Sequence, residues 1–142
     1  MTARRRTDRG AAATELAILV PVLVLLLSVV VGGGRVWTAR SSVQQAAGAA
    51  ARAASLERTP AAAQAVARQA FTRNLAQQGL TCASAALDVD ARGLAKPPGT
   101  SATVSVRARC RVELRDVLVP GMPGAVDAEA TGVAVVDTYR GR

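Results

Sequence analysis

The sequence predicts an α+β protein, in which a long N-terminal transmembrane helix extends into a small extracytoplasmic domain with a second helix and a small antiparallel sheet. Three observations support this prediction. Residues 11–34 carry a single charged side chain, Glu15. Small residues then recur at helical spacing, and after Gly79 the apolar residues recur at every second position. We therefore divide the 142 residues into a basic leader (1–10), a transmembrane helix (11–34) and an outer domain (35–142).

The composition limits the kinds of site that the chain can form. It contains no histidine, which excludes zinc sites with histidine ligands and catalysis by a Ser-His or Cys-His pair. The sequence has neither a carboxylate pair with motif support nor a phosphate-binding loop. We therefore expect no enzyme, no catalytic residue, no metal, no cofactor and no small-molecule substrate.

The first predicted element, the apolar segment 11–34, is long enough to cross a bilayer. As a helix it rises about 36 Å, whereas a hydrocarbon core is about 30 Å thick. Four arginines precede the segment and only Arg35 and Arg40 follow it closely, so the positive-inside rule places the N-terminus in the cytoplasm. Trp37 is positioned to anchor the outer end at the interface. We predict a single-pass protein of the cytoplasmic membrane with residues 35–142 outside.

Two other interpretations of this segment remain open: the core helix of a soluble protein and a cleaved secretory signal. The rest of the chain has few bulky apolar side chains with which to enclose a helix that is apolar on every side. The apolar run is also longer than that of a usual signal peptide, and it leads into Gly-Gly-Gly-Arg rather than a small-x-small cleavage site. Both observations favour a retained membrane helix.

Two residues of the apolar segment invite a functional interpretation. An ionised carboxylate costs about 2.5–3.5 kcal/mol at the centre of a membrane helix and less near its end, so Glu15 needs water or a partner. It lies either near the cytoplasmic surface, paired with Arg9, or opposite a positive group of a neighbouring subunit. Pro21 removes a helical hydrogen bond and predicts a kink, which is either harmless or helps the helix to pack.

The outer domain is predicted to begin as a continuation of the same helix. From Arg35 to Leu56 small and apolar residues follow a helical period and form a narrow stripe: Val36, Val43, Ala47, Ala50 and Ala54. Thr59 and Pro60 are typical of an N-cap and a first helical position, so a second helix starts there. We expect it to end at Gly79.

The remaining chain is predicted to form a small antiparallel sheet. Thr103–Leu114 alternates apolar and polar side chains, as a half-buried strand does, and Cys110 falls on the apolar face of this strand. Ala85–Val89 and Ala125–Val136 are weaker strand predictions. Arg92–Gly99 and Pro120–Gly124 contain the proline and glycine residues typical of loops.

Two features of the predicted sheet have chemical implications. Cys82 and Cys110 both fall in the outer domain, where an oxidising compartment favours a disulfide between them, although two inert buried thiols are an alternative. Arg107, Arg109 and Arg111 share the polar face of their strand. No aromatic side chain alternates with them, as one would in a single-strand binder, so we expect no nucleic-acid partner.

The residues around Glu15 resemble a known processing signal. Gly10 follows a basic leader, and Ala-Ala-Ala-Thr-Glu-Leu then opens the apolar run, which resembles the class III signal of type IV pilins and pseudopilins. With Val-Pro-Val-Leu further on, Gly34-Arg-Val and Gln44-Gln-Ala-Ala, the segment is similar to the TadE-like family of the tight-adherence (Tad) pilus machinery. The chain departs from that family in having leucine after the glutamate, and Gly32-Gly33 in place of an acidic-aromatic pair.

The resemblance implies a role in assembly. It implies a minor pseudopilin-like structural component of a Tad-type pilus assembly or secretion system, cut between Gly10 and Ala11 by a prepilin peptidase. Glu15 would then meet the new α-ammonium of a neighbour and set the register. The implied partners are the cytoplasmic membrane, the peptidase, other pilins or pseudopilins and Tad platform proteins. The alternative is an uncleaved single-pass membrane protein whose outer domain binds a ligand or a polymer.

Overall fold

The computed structural model describes residues 8–97, 99–113 and 124–138, with side chains from residue 13 onward. The elements follow in the order α1 (Asp8–Ser55), α2 (Pro60–Gln77), β1 (Ser84–Asp90), β2 (Ala102–Glu113) and β3 (Ala125–Val136). The predicted α+β class is confirmed. Residues 1–7 of the predicted leader, Leu114 of the predicted strand and all but the last residue of the predicted loop 120–124 lie outside the described residues.

The first helix is continuous over 48 residues. At 1.5 Å per residue it is about 72 Å long, so the apolar segment and the outer helix form one rod. It continues through Pro21 and through Gly32–Gly34, although each glycine lowers helix propensity by roughly 1 kcal/mol relative to alanine. The kink at Pro21 therefore remains a prediction, while the continuation of the helix beyond Arg35 is confirmed.

The second helix begins and ends where the sequence predicts. The Thr59 hydroxyl oxygen accepts a hydrogen bond from the backbone N–H of Ala62 at 3.3 Å, and Pro60 occupies the first helical position, where no N–H is needed. The helix closes at Gln77, and Gly79 then adopts a left-handed φ of 68° that a side chain would disfavour. The short connection from α1 makes the two helices an antiparallel hairpin.

The three strands form an antiparallel sheet in the order β1-β2-β3. The alternation predicted for β2 is confirmed, since its even-numbered side chains from Ala102 to Val112 are buried and most of the odd-numbered ones are exposed. Both weaker strand predictions are also confirmed. The sheet therefore has one face packed on the helices, here called the inner face, and an open outer face.

The predicted loop Arg92–Gly99 is partly wrong, because Arg92–Ala95 forms a short 3₁₀ helix. Two contacts explain the difference. The side chain of Leu94 is buried in the core, and the carboxylate of Asp90 accepts a hydrogen bond from the backbone N–H of Arg92 at 3.2 Å. The hydrogen bond from Arg92 to Asp90 is a local Asx turn, whereas the burial of Leu94 depends on the assembled fold.

The core lies between the inner face of the sheet and the two helices. Most of its side chains are alanine, and the largest fully buried ones are Phe71, Val43, Val104, Val106, Val136 and Cys110. Four of the five residues of the predicted helical stripe are buried, and Val36 is half-buried. An alanine-rich interface buries little area per residue, but it lets the backbones approach closely.

The closest approach in the core is between β3 and α1, at Gly132. A Cβ atom on Gly132 would lie 2.2 Å from the backbone oxygen of Ala47, which is closer than real contacts allow. Beside it, the Gln44 side-chain Nε2 donates a hydrogen bond of 2.9 Å to the carbonyl of Thr131. The glycine thus fixes how near the helix lies to the sheet, and Gln44 satisfies a backbone carbonyl there.

The predicted disulfide between Cys82 and Cys110 is present. Its Cα atoms are 5.4 Å apart, and the bond closes a loop with a sequence separation of 28. Cys110 lies on the inner face, nearly completely buried, as predicted from the strand pattern. The bond ties the segment before β1 to the central strand of the sheet.

Candidate membrane and assembly site

The N-terminal half of α1 presents a continuous apolar surface without any covering element. The bulky side chains from Leu16 to Val31 are exposed, with exposed fractions between 46% for Val20 and 71% for Ile18. Among the described residues, one helix is long and apolar enough to cross a membrane, and this stretch lies within it. An apolar window of 18 residues in that helix has a mean hydropathy of 2.8. This apolar part of the helix therefore does not belong to the core of the domain, because only 6% of the apolar window is buried.

The hydroxyl groups of this half are satisfied within the helix. The Ser28 Oγ donates a hydrogen bond of 2.8 Å to the carbonyl of Val24. The Thr38 Oγ1 does the same to the carbonyl of Gly34, at 2.9 Å. Since an unpaired donor is costly in hydrocarbon, these internal bonds allow the helix to lie in lipid with its polar side chains satisfied.

The charges at the two ends of the apolar surface match a bilayer in spacing. Glu15 and Arg35 are the first charged residues on either side, and twenty residues of helix separate them by about 30 Å, the thickness of a hydrocarbon core. Both side chains are exposed. Trp37, 76% exposed, and Arg40 follow at the outer end, as expected for residues at a membrane interface.

The residues of the predicted cleavage site lie in the first turns of α1. The helix begins at Asp8, so the backbones of Gly10 and Ala11 are helical, and their side chains lie outside the description. Ala11 and Glu15 are four residues apart, which places them on one side of the helix with a rise of about 6 Å between them. A neighbouring helix that brings its Ala11 beside Glu15 must therefore be displaced by about 6 Å along the axis.

The outer face of the sheet carries charges of both signs, not a basic surface. Strand pairing places Asp88 opposite Arg107, Glu129 opposite Arg109 and Asp127 opposite Arg111. Of these pairs, Arg109 and Glu129 form a salt bridge of 3.0 Å between Nε and Oε1. The predicted arginine stripe is thus flanked by carboxylates on both neighbouring strands, a pattern that would repel nucleic-acid phosphates at its margins.

A shallow hollow of about 420 Å³ crosses this face. Its lining mixes polar residues, among them Gln44, Asp88, Arg107 and Glu129, with alanine and leucine, and contains no aromatic ring. In the part of the chain that the structure describes, no group of three or more His, Cys, Asp or Glu side chains could hold a metal ion. The geometry of the outer domain therefore points to surface contacts rather than to a deep ligand site.

A second ion pair stabilises the 3₁₀ helix at one edge of the sheet. The Arg92 guanidinium donates to both carboxylate oxygens of Asp90, at 2.9 and 2.6 Å. These hydrogen bonds lower the pKa of Asp90 from 3.8 to about 2. Because the pKa is lowered on folding, the pair stabilises the fold above pH 3.8 and that stabilisation is lost as the pH falls toward 2.

Replacing Arg92 by alanine should return the pKa of Asp90 toward 3.8, since the side-chain hydrogen bond is the main cause of the shift. NMR titration of the Asp90 carboxyl carbon in the detergent-solubilised chain measures this directly. Arg107→Ala is the control, because Arg107 makes only the smallest contribution and its loss should leave most of the shift in place. An Asp90 pKa that is the same in Arg92→Ala and in the unmodified protein would contradict the assignment.

Comparison with known proteins agrees with the resemblance seen in the sequence. The family model described as TadE-like protein matches residues 10–52. The match begins at the predicted cleavage site, covers the whole apolar surface and ends three residues before α1 does. No curated protein and no solved structure matches the chain. The matched segment covers most of the long helix, whereas α2 and the sheet lie outside the match.

Proposed function

We propose that this protein is a minor pseudopilin-like structural component of a Tad-type pilus assembly or secretion system. The observation that supports this best is the position of Glu15, five residues after Gly10, at the start of an exposed apolar helix within the segment that matches the TadE-like family. The function is assembly and not catalysis. The helix packs in the bilayer beside other pilins or pseudopilins, and the outer domain docks onto them or onto platform proteins.

In this proposal the helix crosses the cytoplasmic membrane with its N-terminus inside. The basic leader stays in the cytoplasm, and Trp37 lies at the outer interface. The first core residue, Ala39, comes only five residues after Gly34, a rise of about 7.5 Å. The outer domain therefore sits directly at the membrane surface. Because α1 is continuous, a displacement of its membrane-spanning segment also displaces the outer domain.

A prepilin peptidase would cut after Gly10 and leave Ala11 as the first residue. The new α-ammonium would add a positive charge to the positive end of the helix dipole, which is unfavourable. A nearby carboxylate interacts favourably with both the α-ammonium and the positive end of the helix dipole. Glu15 supplies this carboxylate one turn further along the helix. Contact with the Ala11 of a neighbouring helix would fix the axial step between subunits. Ion pairs in a low dielectric set register better than they add affinity.

Substitution of Gly10 tests the processing step. Gly10→Val should block the cut, so the protein recovered from membranes should gain the mass of residues 1–10 relative to the unmodified protein. Ala13→Val, a substitution of the same kind beyond the cut, is the control and should leave processing intact. An unchanged mature mass in Gly10→Val would contradict the processing and favour the alternative, an uncleaved single-pass protein whose outer domain binds a ligand or a polymer.

Substitution of Glu15 tests the register step. Glu15→Gln keeps the size and the hydrogen-bonding capacity of the side chain but removes its charge, so we expect pilus assembly to be lost while processing and membrane insertion persist. Glu15→Asp keeps the charge and should retain part of the assembly. Counting assembled pili on cells that express each variant measures the effect. Equal assembly in Glu15→Gln and in the unmodified protein would show that the ion pair is not needed.

A further inference from the structure

The outer face of the sheet arranges its charges in columns along the strands. The central strand β2 carries three arginines followed by Glu113 on this face, and both neighbouring strands carry carboxylates beside the arginines. The positive column is Arg107, Arg109 and Arg111, and the negative columns are Asp88 and Asp90 on β1 and Asp127 and Glu129 on β3. Adjacent columns are about 4.8 Å apart, the spacing of strands in a sheet.

These charges remain accessible although they are balanced within one molecule. The side chains of Arg109 and Glu129 keep 75% and 67% of their surface exposed in their salt bridge. Further along β3, Val133 and Val135 project from the same face and are 62% and 72% exposed. The face thus combines an ordered, exposed charge pattern with two exposed β-branched side chains.

We propose that the outer face binds the same face of a second copy of this chain. A twofold axis parallel to the strands, between β2 and β3, lays β2 of each copy over β3 of the other. The axis keeps every residue at its own level, so Arg109 of one copy faces Glu129 of the second copy, and the reverse. Val135 of each copy then covers Thr103 of the other, which is its paired residue in the sheet.

Charge complementarity selects a second copy over other occupants. Nucleic acid would bring phosphates against two columns of carboxylates, and a sugar polymer would find no aromatic ring on which to stack. A second copy instead places the carboxylates of its β3 over the arginines of β2, and the reverse. Like charges would meet if β2 lay over β2 or if β3 lay over β3, so the pattern disfavours those two alignments.

The size of the face predicts a weak contact. In this arrangement only β2 and β3 of each copy overlap, and two strands of 12 residues cover about 10 by 40 Å, or about 400 Å² per copy, which is below the roughly 800 Å² of a standard stable interface. Two copies held in one membrane meet at a high effective concentration, which compensates for low intrinsic affinity. The contact requires no processing at Gly10, so it stands or falls independently of the proposed function.

Paired charge reversals test the contact with the full-length chain. Two differently tagged copies are expressed together, cross-linked while still in the membrane, then extracted in detergent and recovered through one tag, and the amount of the other copy is measured. Arg109→Glu alone places a second carboxylate against Glu129 of the other copy, and Glu129→Arg alone places two guanidinium groups together. Each variant should therefore associate with itself at least about tenfold less than the unmodified chain does.

Mixing the two variants supplies the decisive comparison. When one copy carries Arg109→Glu and the other carries Glu129→Arg, both intermolecular pairs are again opposite in charge, so association should recover. The exposed salt bridge inside each chain contributes little to stability, so the variants should fold. Equal recovery of the second copy in all four combinations, or no recovery from the unmodified chain, would overturn the proposal, as would failure of the mixture to associate.

Discussion

Gly132→Ala should destabilise the outer domain by at least about 3 kcal/mol, the upper end of the usual cost of overpacking a core. The added Cβ would lie 2.2 Å from the backbone oxygen of Ala47 and 2.5 Å from its carbonyl carbon. Neither atom can rotate away as a flexible side chain would, so β3 and α1 have to separate. Urea unfolding of the detergent-solubilised chain, followed by circular dichroism, measures the loss.

The neighbouring glycine of the same contact provides the control. Gly48 adjoins Ala47 in α1, but a Cβ on Gly48 meets no atom within 4 Å. Gly48→Ala should therefore be tolerated, and it should stabilise the helix by roughly 0.5–1 kcal/mol. Similar unfolding midpoints for Gly132→Ala and Gly48→Ala would show that the helix and the strand are not held together at this point.

Loss of the disulfide should cost the outer domain about 3–4 kcal/mol, as the chain-entropy estimate gives for a loop of 28 residues. The expected effect is large because the core consists mainly of alanine, whose small side chains contribute little stabilisation through buried apolar area. The double variant Cys82→Ser/Cys110→Ala removes the bond without burying a hydroxyl at the inner face. Its urea midpoint should fall well below that of the oxidised protein.

Chemical reduction separates the cross-link from the substitutions. The unmodified protein treated with a thiol reductant loses the same bond and keeps both side chains, so its midpoint should fall by a similar amount. Free thiols on the exported protein before reduction, detected by mass spectrometry of alkylated cysteines, would show that the bond does not form in the cell. A reduced protein as stable as the oxidised one would contradict the role of the bond.

The elements with strong local signals could be predicted from the sequence. The long apolar run, the Thr59-Pro60 start of α2 and the strict alternation in β2 each reflect a preference that acts within a few residues. The inward position of Cys110 followed from the same alternation. These signals do not depend on what packs against them, and the structure agrees with each.

The contacts between distant elements could not be predicted in this way. Gly132 lies in a strand pattern where a glycine signals a close backbone approach, but the sequence does not identify Ala47 as its neighbour. The hydrogen bond from Gln44 to Thr131 and the burial of Leu94, which turns part of a predicted loop into a 3₁₀ helix, depend equally on the assembled fold. Such features are set by tertiary packing and leave only weak local signals.

In the candidate site, too, the local features could be predicted from the sequence and the contacts between elements could not. The sequence locates Gly10, Glu15 and the apolar helix, and the structure adds their spacing along one continuous rod and the exposure of its surface. For the arginine stripe, the sequence lists the cations but not the carboxylates across from them. Strand pairing brings Asp88 and Glu129 beside the stripe, and this changes a basic surface into one of alternating charge.

The N-terminal residue of the protein purified from cell membranes tests the proposed assembly role most directly. Edman degradation or mass spectrometry of the N-terminal peptide should identify Ala11, followed by Ala-Ala-Thr-Glu and the complete apolar helix. A mature chain that starts at Met1 or Thr2 would contradict the processing on which the pseudopilin interpretation depends. A chain that starts beyond Val31 would contradict the membrane helix as well.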